Sequence, residues 1–231
     1  MEQAGELAKN TAVLLNVSEF ESVDDATSAM VSTLQAFKDD TKDVGTQSKE
    51  IIDILNNIGN RYPIATNELA EGLEASSAAL VAANSSIQEQ VAMLAAGNAT
   101  MQDVSTVAAG LKIVAARLRG TTSDVDDDAE SAITNVSKLQ AKIKALTAEA
   151  NGGEGINIID DQGNYKSPYK ILNEISKIFD KMDDLSRASL LELIAGGVTV
   201  CPKIWKHILK YTSNCRNTLK LCYHNIKEII I

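Results

Sequence analysis

The sequence predicts a mainly α-helical protein: a bundle of short helices, longer coiled-coil-like helices, and one small β-hairpin near residues 156–166. Three observations lead there. Apolar residues make up 45% of the 231 positions but aromatic residues only 4%, so the interior has to be built from Ala, Leu, Ile and Val, which suits slender helix-on-helix packing. Along most of the chain these residues recur at steps of three and four, the period of one helical face. There are only three prolines, and Pro63 and Pro168 fall in breaks between periodic segments, leaving long stretches free to stay helical.

Residues 1–45 read as one or two helices. Val23, Ala26, Met30, Leu34 and Phe37 advance by three and four, and Ser18 with Glu21 fits a capping box for the start. Asp39, Asp40 and Asp43 crowd the end, where negative charge opposes the helix dipole, so fraying is expected there. Ile51, Ile54, Leu55 and Ile58 form the face of the next helix, closed by Gly59-Asn60. Pro63 drives Tyr62 out of the helical region, after which Thr66 is a suitable N-cap with Glu68 in the first turn. Leu69, Leu73, Ser76 and Leu80 continue that face, while Ala75, Ala78, Ala79, Ala82 and Ala83 thin the helix and let a neighbour approach. Ser86 to Glu89 is a second capping box, ahead of Ile87, Val91, Leu94 and Ala95, with Gly97-Asn98 as the stop and Thr100 as the next start.

The segment Gly110 to Arg119 has the clearest helix end. Leu111, Ala115 and Leu118 share a face with Val104, Val107 and Ala108. Arg117 and Arg119 occupy the last turn, where cations meet the negative end of the dipole, and Gly120 is placed to take the left-handed cap. An ordinary basic helix terminus is the expected reading, ahead of a ligand-binding arginine pair. Residues 50–120 thus read as four short helices joined by tight turns, a compact bundle.

Thr121 to Asp128 is polar and acidic. Its Asp124, Asp126, Asp127 and Asp128 lack the central Gly and the twelfth-position Glu of a calcium loop, so a solvated linker is expected. Ile133, Val136, Leu139, Ile143 and Leu146 then step like a coiled-coil seam. Asn151 to Gly155 is a flexible break without the Gly-Lys-Ser/Thr ending of a phosphate-cradling loop. Ile156 to Ile159, the turn Asp161 to Asn164, and Tyr165 read as a short hairpin. Ser167-Pro168 supplies an N-cap and first helical residue for a face of Ile171, Leu172, Ile175, Ile178, Phe179 and Met182. Leu185 to Ile194 give a last helix, ending at Gly196-Gly197.

Charge narrows the function. A formal net charge of −9 lacks the basic footprint of a general nucleic-acid binder. The amino terminus lacks the basic-then-apolar order of a secretory signal, and no run approaches the roughly 20 apolar residues of a membrane span. Synthesis in the cytosol is expected, and the Asn-x-Ser/Thr triplets at Asn16, Asn84 and Asn135 are chance products of a Ser- and Asn-rich chain. After Gly197 the character changes: six basic residues and one acid give +5, against −14 for the remainder, and all three cysteines, both histidines and the one tryptophan lie there. Cys201, Cys215 and Cys222, with His207 and His224, lack the paired spacing of a zinc site and any signature of a nucleophile. The lysines beside Trp205, Tyr211 and Tyr223 are not expected to bind nucleic acid or lipid.

Six segments in order carry a family resemblance: Leu-Asn-Asn-Ile-Gly-Asn (55–60), Glu-Leu-Ala-Glu-Gly-Leu (68–73), Ser-Ala-Ala-Leu (77–80), Leu-Lys-Ile-Val-Ala-Ala-Arg-Leu-Arg-Gly (111–120), Tyr-Lys-Ser-Pro-Tyr-Lys-Ile-Leu-Asn-Glu-Ile-Ser (165–176) and Leu-Leu-Glu-Leu-Ile-Ala-Gly (190–196). Over residues 5–196 the chain resembles the core region of tail tape measure proteins from long-tailed phages and prophages of Gram-positive bacteria. The resemblance implies a mainly helical structural molecule of the virion tail, whose length sets tail length and which is released as DNA enters the host. It implies no catalytic, cofactor-binding or metal-binding residue, and no cofactor.

The partners it implies are the phage tail tube, tail assembly chaperones and baseplate or tail-tip proteins, with self-association through helices, no specific nucleic acid and no membrane span. The implied location is the host bacterial cytoplasm during assembly, then the tail lumen of the virion. Against the family pattern, the composition change after Gly197 implies a truncated, frameshifted product of a decaying prophage gene. The expected organisation is 1–45, an N-terminal helical segment; 46–120, a compact helical bundle; 121–155, an acidic linker and coiled-coil-like helix; 156–197, the hairpin and two helices; and 198–231, a basic divergent tail. Two alternatives stay open: a generic helical coiled-coil scaffold or adaptor, and a cell-wall hydrolase, which no residue here supports.

Overall fold

The computed structural model describes residues 2–120 and 129–196, with the side chains of Glu2, Thr100 and 129–135 excepted. The expectations for the Asp-rich linker at 121–128 and the basic tail lie outside the described residues. Those residues are mainly helical and contain no strand. The helices are α1 (Glu2–Val17), α2 (Val23–Ala36), α3 (Val44–Gly59), α4 (Thr66–Ala82), α5 (Ile87–Met101), α6 (Val104–Leu118), α7 (Ala129–Ala148), α8 (Pro168–Ile178) and α9 (Asp184–Ala195), with a 3-10 turn at Phe179–Lys181.

Helix α4 lies at the centre. Its face of Leu69, Leu73, Ser76 and Leu80 is buried, and it packs on α6 most closely, then on α2, α5 and α3. Helix α1 covers α3 and α2, and α9 bridges α6 to α7. The buried apolar side chains, from Leu14 to Ala195, form one continuous cluster. With Ala26, Ala29, Ala70, Ala83, Ala92, Ala95, Ala108 and Ala115 among them, helices approach more closely than an all-leucine core would allow.

The caps explain most helix limits and revise several sequence expectations. Helix α2 begins not at a Ser18–Glu21 box but at Ser22, whose hydroxyl accepts from the Asp25 N–H at 3.1 Å; Ser18 donates back to Leu14 of α1 instead. The Asp39–Asp43 run does not fray a helix. Asp39 accepts from the Thr41 N–H at 3.0 Å in the connecting turn, and Asp43 caps α3 through the Thr46 N–H at 2.9 Å, so Asp43 sits where a helix start favours negative charge. Thr66 is the first residue of α4 and Ala65 its cap. The start is held by two glutamates: the Ala65 N–H donates to Glu68, and the Thr66 N–H to Glu19 from the α1–α2 connection, each at 3.2 Å.

The Ser86–Glu89 box forms as expected, with reciprocal bonds of 3.1 and 3.2 Å. The stop at Gly97-Asn98 does not. Helix α5 runs on to Met101, Gln102 takes the left-handed position at φ 51°, and Asp103 caps α6. Gly97 instead serves close packing: a Cβ there would lie 2.5 Å from Cγ1 of Val107.

The hairpin expected at 156–166 also does not form. One antiparallel bridge, Ile159 to Tyr165, is all that remains of it. The backbone of the would-be first strand is taken by side chains of α7: the Ile156 N–H donates to Thr147 Oγ1 at 2.8 Å, the Ile158 N–H to Gln140 Oε1 at 2.6 Å, and Gln140 Nε2 donates to the Ile156 carbonyl at 3.1 Å. A helix thus satisfies groups that a strand partner would otherwise need to satisfy. The seam of α7 is spent inside the body as well, with Leu139 and Ile143 buried and Val136 and Leu146 packed on the core. Ser167 and Pro168 start α8 as anticipated, and its apolar face is buried through Met182.

Candidate functional site

The residues singled out from the sequence, Arg117 and Arg119, meet at a junction of three elements. Helix α6 ends at Leu118, Arg119 closes it, and Gly120 takes φ 69°, as the spacing predicts. The Arg119 guanidinium lies over the Tyr165 ring, 4.6 Å from its centroid. The carbonyl of Tyr165 accepts from Asn84 Nδ2 at 3.0 Å, and Asn84 itself holds a left-handed turn, φ 60°, between α4 and α5. On the other side, the guanidinium of Arg117 packs on Gly196 so closely that a Cβ there would lie 2.6 Å from Nη2.

The pair therefore fastens the 156–196 segment to the end of α6, and both side chains are half-buried in that role. A third arginine works alike: Arg187 donates from Nε to the Phe179 carbonyl at 2.9 Å and from Nη2 to the Asp180 carbonyl at 3.1 Å, closing the turn after α8. Cations on carbonyls at a helix end satisfy orphan acceptors and meet the negative end of the dipole favourably.

Two open clefts lie elsewhere. One, of about 380 Å3, is floored by Leu7, Val31, Leu34 and Val44 between α1, α2 and α3 and rimmed by Lys38 and Lys42. The other, of about 260 Å3, lies between the 155–157 loop and α8, beside Lys166, Glu174 and Lys177. Lys166 and Glu174 pair there at 2.9 Å.

Neither cleft gathers reactive groups. The described residues contain no histidine and no cysteine, and among them no group of three His, Cys, Asp or Glu side chains could hold a metal ion. Among the described residues, every carboxylate clearly displaced from its ordinary titration range is displaced downward by hydrogen bonds to its charged form. Asp103 is the strongest case, lowered to about 2 by the Thr106 hydroxyl, the Ser105 hydroxyl and the Thr106 N–H. Asp43 and Asp183 are lowered by Thr46 and Ser186 in the same way. These acids are tuned as helix caps; a general acid at neutral pH needs the opposite shift. The cysteine and histidine positions, Cys201 to His224, lie outside the described residues.

Sequence reasoning missed the reach of Glu19 to the α4 terminus and of Gln140 and Thr147 to the 156–158 backbone. No local signal marks either, because each joins residues far apart or outside regular elements.

A family model described as phage-related minor tail protein matches residues 1–196. No curated protein and no solved structure matches the chain. Among the described residues no helix is long and apolar enough to cross a membrane.

Proposed function

Because the chain belongs to the phage-related minor tail protein family, we propose that it is a tape measure protein, acting through its core region in tail assembly, in setting tail length and in DNA ejection. The observation that carries this reading is the ordered series of six segments between residues 55 and 196, which falls within the family match over 1–196. The match stops where the composition turns basic, in keeping with a change of reading frame after Gly197. Nucleotide sequence with no family-like continuation in another frame would refute that detail.

The role is architectural. Supporting it, Arg119 closes the end of α6 over Tyr165, and the displaced acids Asp43, Asp103 and Asp183 cap helix starts. Its partners in this reading are the tail tube, the tail assembly chaperones and the baseplate or tail-tip proteins, first in the host cytoplasm and then in the tail lumen.

Cross-linking and mass spectrometry of purified tails test the placement. Links from exposed lysines such as Lys49 and Lys170 to tube or tip proteins are the expected result. Tails that lack the chain altogether would overturn it and favour a generic helical scaffold or adaptor.

A further inference from the structure

Asn151-Gly152, just past the end of α7, is the one place in the chain where an asparagine precedes a glycine. Asparagine is thermolabile because the backbone nitrogen of the next residue can attack its side-chain carbonyl; a following side chain crowds that approach, and glycine has none. The structure leaves both reacting groups accessible. Asn151 is exposed, and a Cβ on Gly152, which holds φ 69°, would meet nothing within 4 Å. The neighbouring N–H groups are tied, Asn151 to the Thr147 carbonyl at 3.0 Å and Gly153 to the Ala148 carbonyl at 2.7 Å. The Gly152 N–H donates to no backbone carbonyl among the described residues. Of the other asparagines in connections, Asn84, Asn157 and Asn164 precede Ser85, Ile158 and Tyr165.

We propose that Asn151 is a site of spontaneous deamidation, and that its conversion releases the loop that follows α7. The Gly152 nitrogen, losing its proton to hydroxide, forms a bond to Asn151 Cγ; the Cγ–Nδ2 bond breaks, and Nδ2 takes a proton from water and leaves as ammonia. Water then opens the resulting cyclic imide at one of its two carbonyls, giving isoaspartate or aspartate with no change of oxidation state. The amide consumed is a latch: Asn151 Nδ2 donates to the Gly155 carbonyl at 3.1 Å. Ring closure requires that bond to open first, so the latch sets the pace of its own loss. Gly155 packs against the Lys144 backbone without room for a Cβ, and it leads into Ile156 and Ile158, whose N–H groups are held by Thr147 and Gln140 of α7. A carboxylate at 151 has no proton to offer the Gly155 carbonyl, and it adds negative charge beside the negative end of the α7 dipole. Isoaspartate also lengthens the main chain between the two anchored N–H groups. The inference rests on this loop alone and is independent of the tape measure reading.

The test is peptide mapping by mass spectrometry of the full chain aged in warm, mildly alkaline buffer, with isoaspartate resolved from aspartate, followed by hydrogen exchange of the aged protein. Expected are conversion at Asn151 ahead of every other asparagine, isoaspartate in excess of aspartate, and amide exchange at Ile156 and Ile158 faster by about two- to tenfold, the worth of one hydrogen bond. Asn151→Gln, whose longer side chain disfavours the ring, should stay unmodified and exchange after ageing as it does before. An Asn151 that survives unchanged, or converts no sooner than asparagines followed by a side chain, would overturn the site. Conversion without faster exchange, or an equal acceleration in aged Asn151→Gln, would overturn the latch.

Discussion

Gly97 of α5 faces Val107 of α6 with no room for a methyl group between them: a Cβ on Gly97 would lie 2.5 Å from Val107 Cγ1 and 3.0 Å from Cγ2. Gly72 of α4 stands in the same relation to Val104, again at 2.5 Å. Two glycine-valine contacts thus set the spacing of α6 against α5 and α4.

Gly97→Ala should destabilise the protein by roughly 1–3 kcal/mol, the usual effect of overpacking a filled core. The sign is diagnostic, because in a helix free of such contact the same change stabilises by about 0.5–1 kcal/mol. Urea unfolding measures it. A second change, Val107→Ala, should recover part of the loss; a stabilised Gly97→Ala protein would show that the helices are farther apart than described.

Arg119 and Tyr165 should couple by about 0.5–2 kcal/mol, the range for a partly desolvated cation over an aromatic face. A double-mutant cycle with Arg119→Ala and Tyr165→Leu reads this energy directly. Additive effects of the two changes would mean that the stacking fastens nothing.

Gln90 is fully buried on α5, and neither its Oε1 nor its Nε2 has a hydrogen-bond partner. An unmade bond at a buried amide costs about 1–3 kcal/mol, so Gln90→Leu, of similar volume, should raise the thermal midpoint. A lowered midpoint would show that the amide is engaged in solution.

Asp103 gives a pH dependence of defined sign. Its carboxyl titrates at about 2 in the folded protein, against an ordinary 3.8, so its contribution is fully present above about pH 4 and is lost as pH falls toward 2. Asp103→Asn keeps a cap acceptor but removes the charge. Stability plotted against pH should accordingly fall less steeply between pH 4 and 2 for this variant than for wild type. Equal slopes would show that the cap carries no proton linkage.

Much of this architecture was legible in the chain because it is local. The Ser86–Glu89 box, Ser167-Pro168, Gly120 and the apolar face from Ile171 to Met182 each depend on residues within two turns of one another, and each stands where expected. What escaped the sequence is tertiary. Gly97 and a helix-stopping glycine look alike until Val107 is seen beside it. Ile156 and Ile158 alternate like a strand, yet Thr147 and Gln140 claim their backbone. At the α6 terminus the arginines were legible as an end of helix, but their targets, Tyr165 and Gly196, lie 46 and 79 residues further along.

The most direct measurement of the central claim is electron microscopy of particles produced after in-frame deletion of the gene from its phage or prophage. A structural role in the tail predicts particles whose tails are missing or no longer of one defined length, with normal tails restored by the gene supplied in trans. Tails of wild-type number and length in the deleted strain would contradict it.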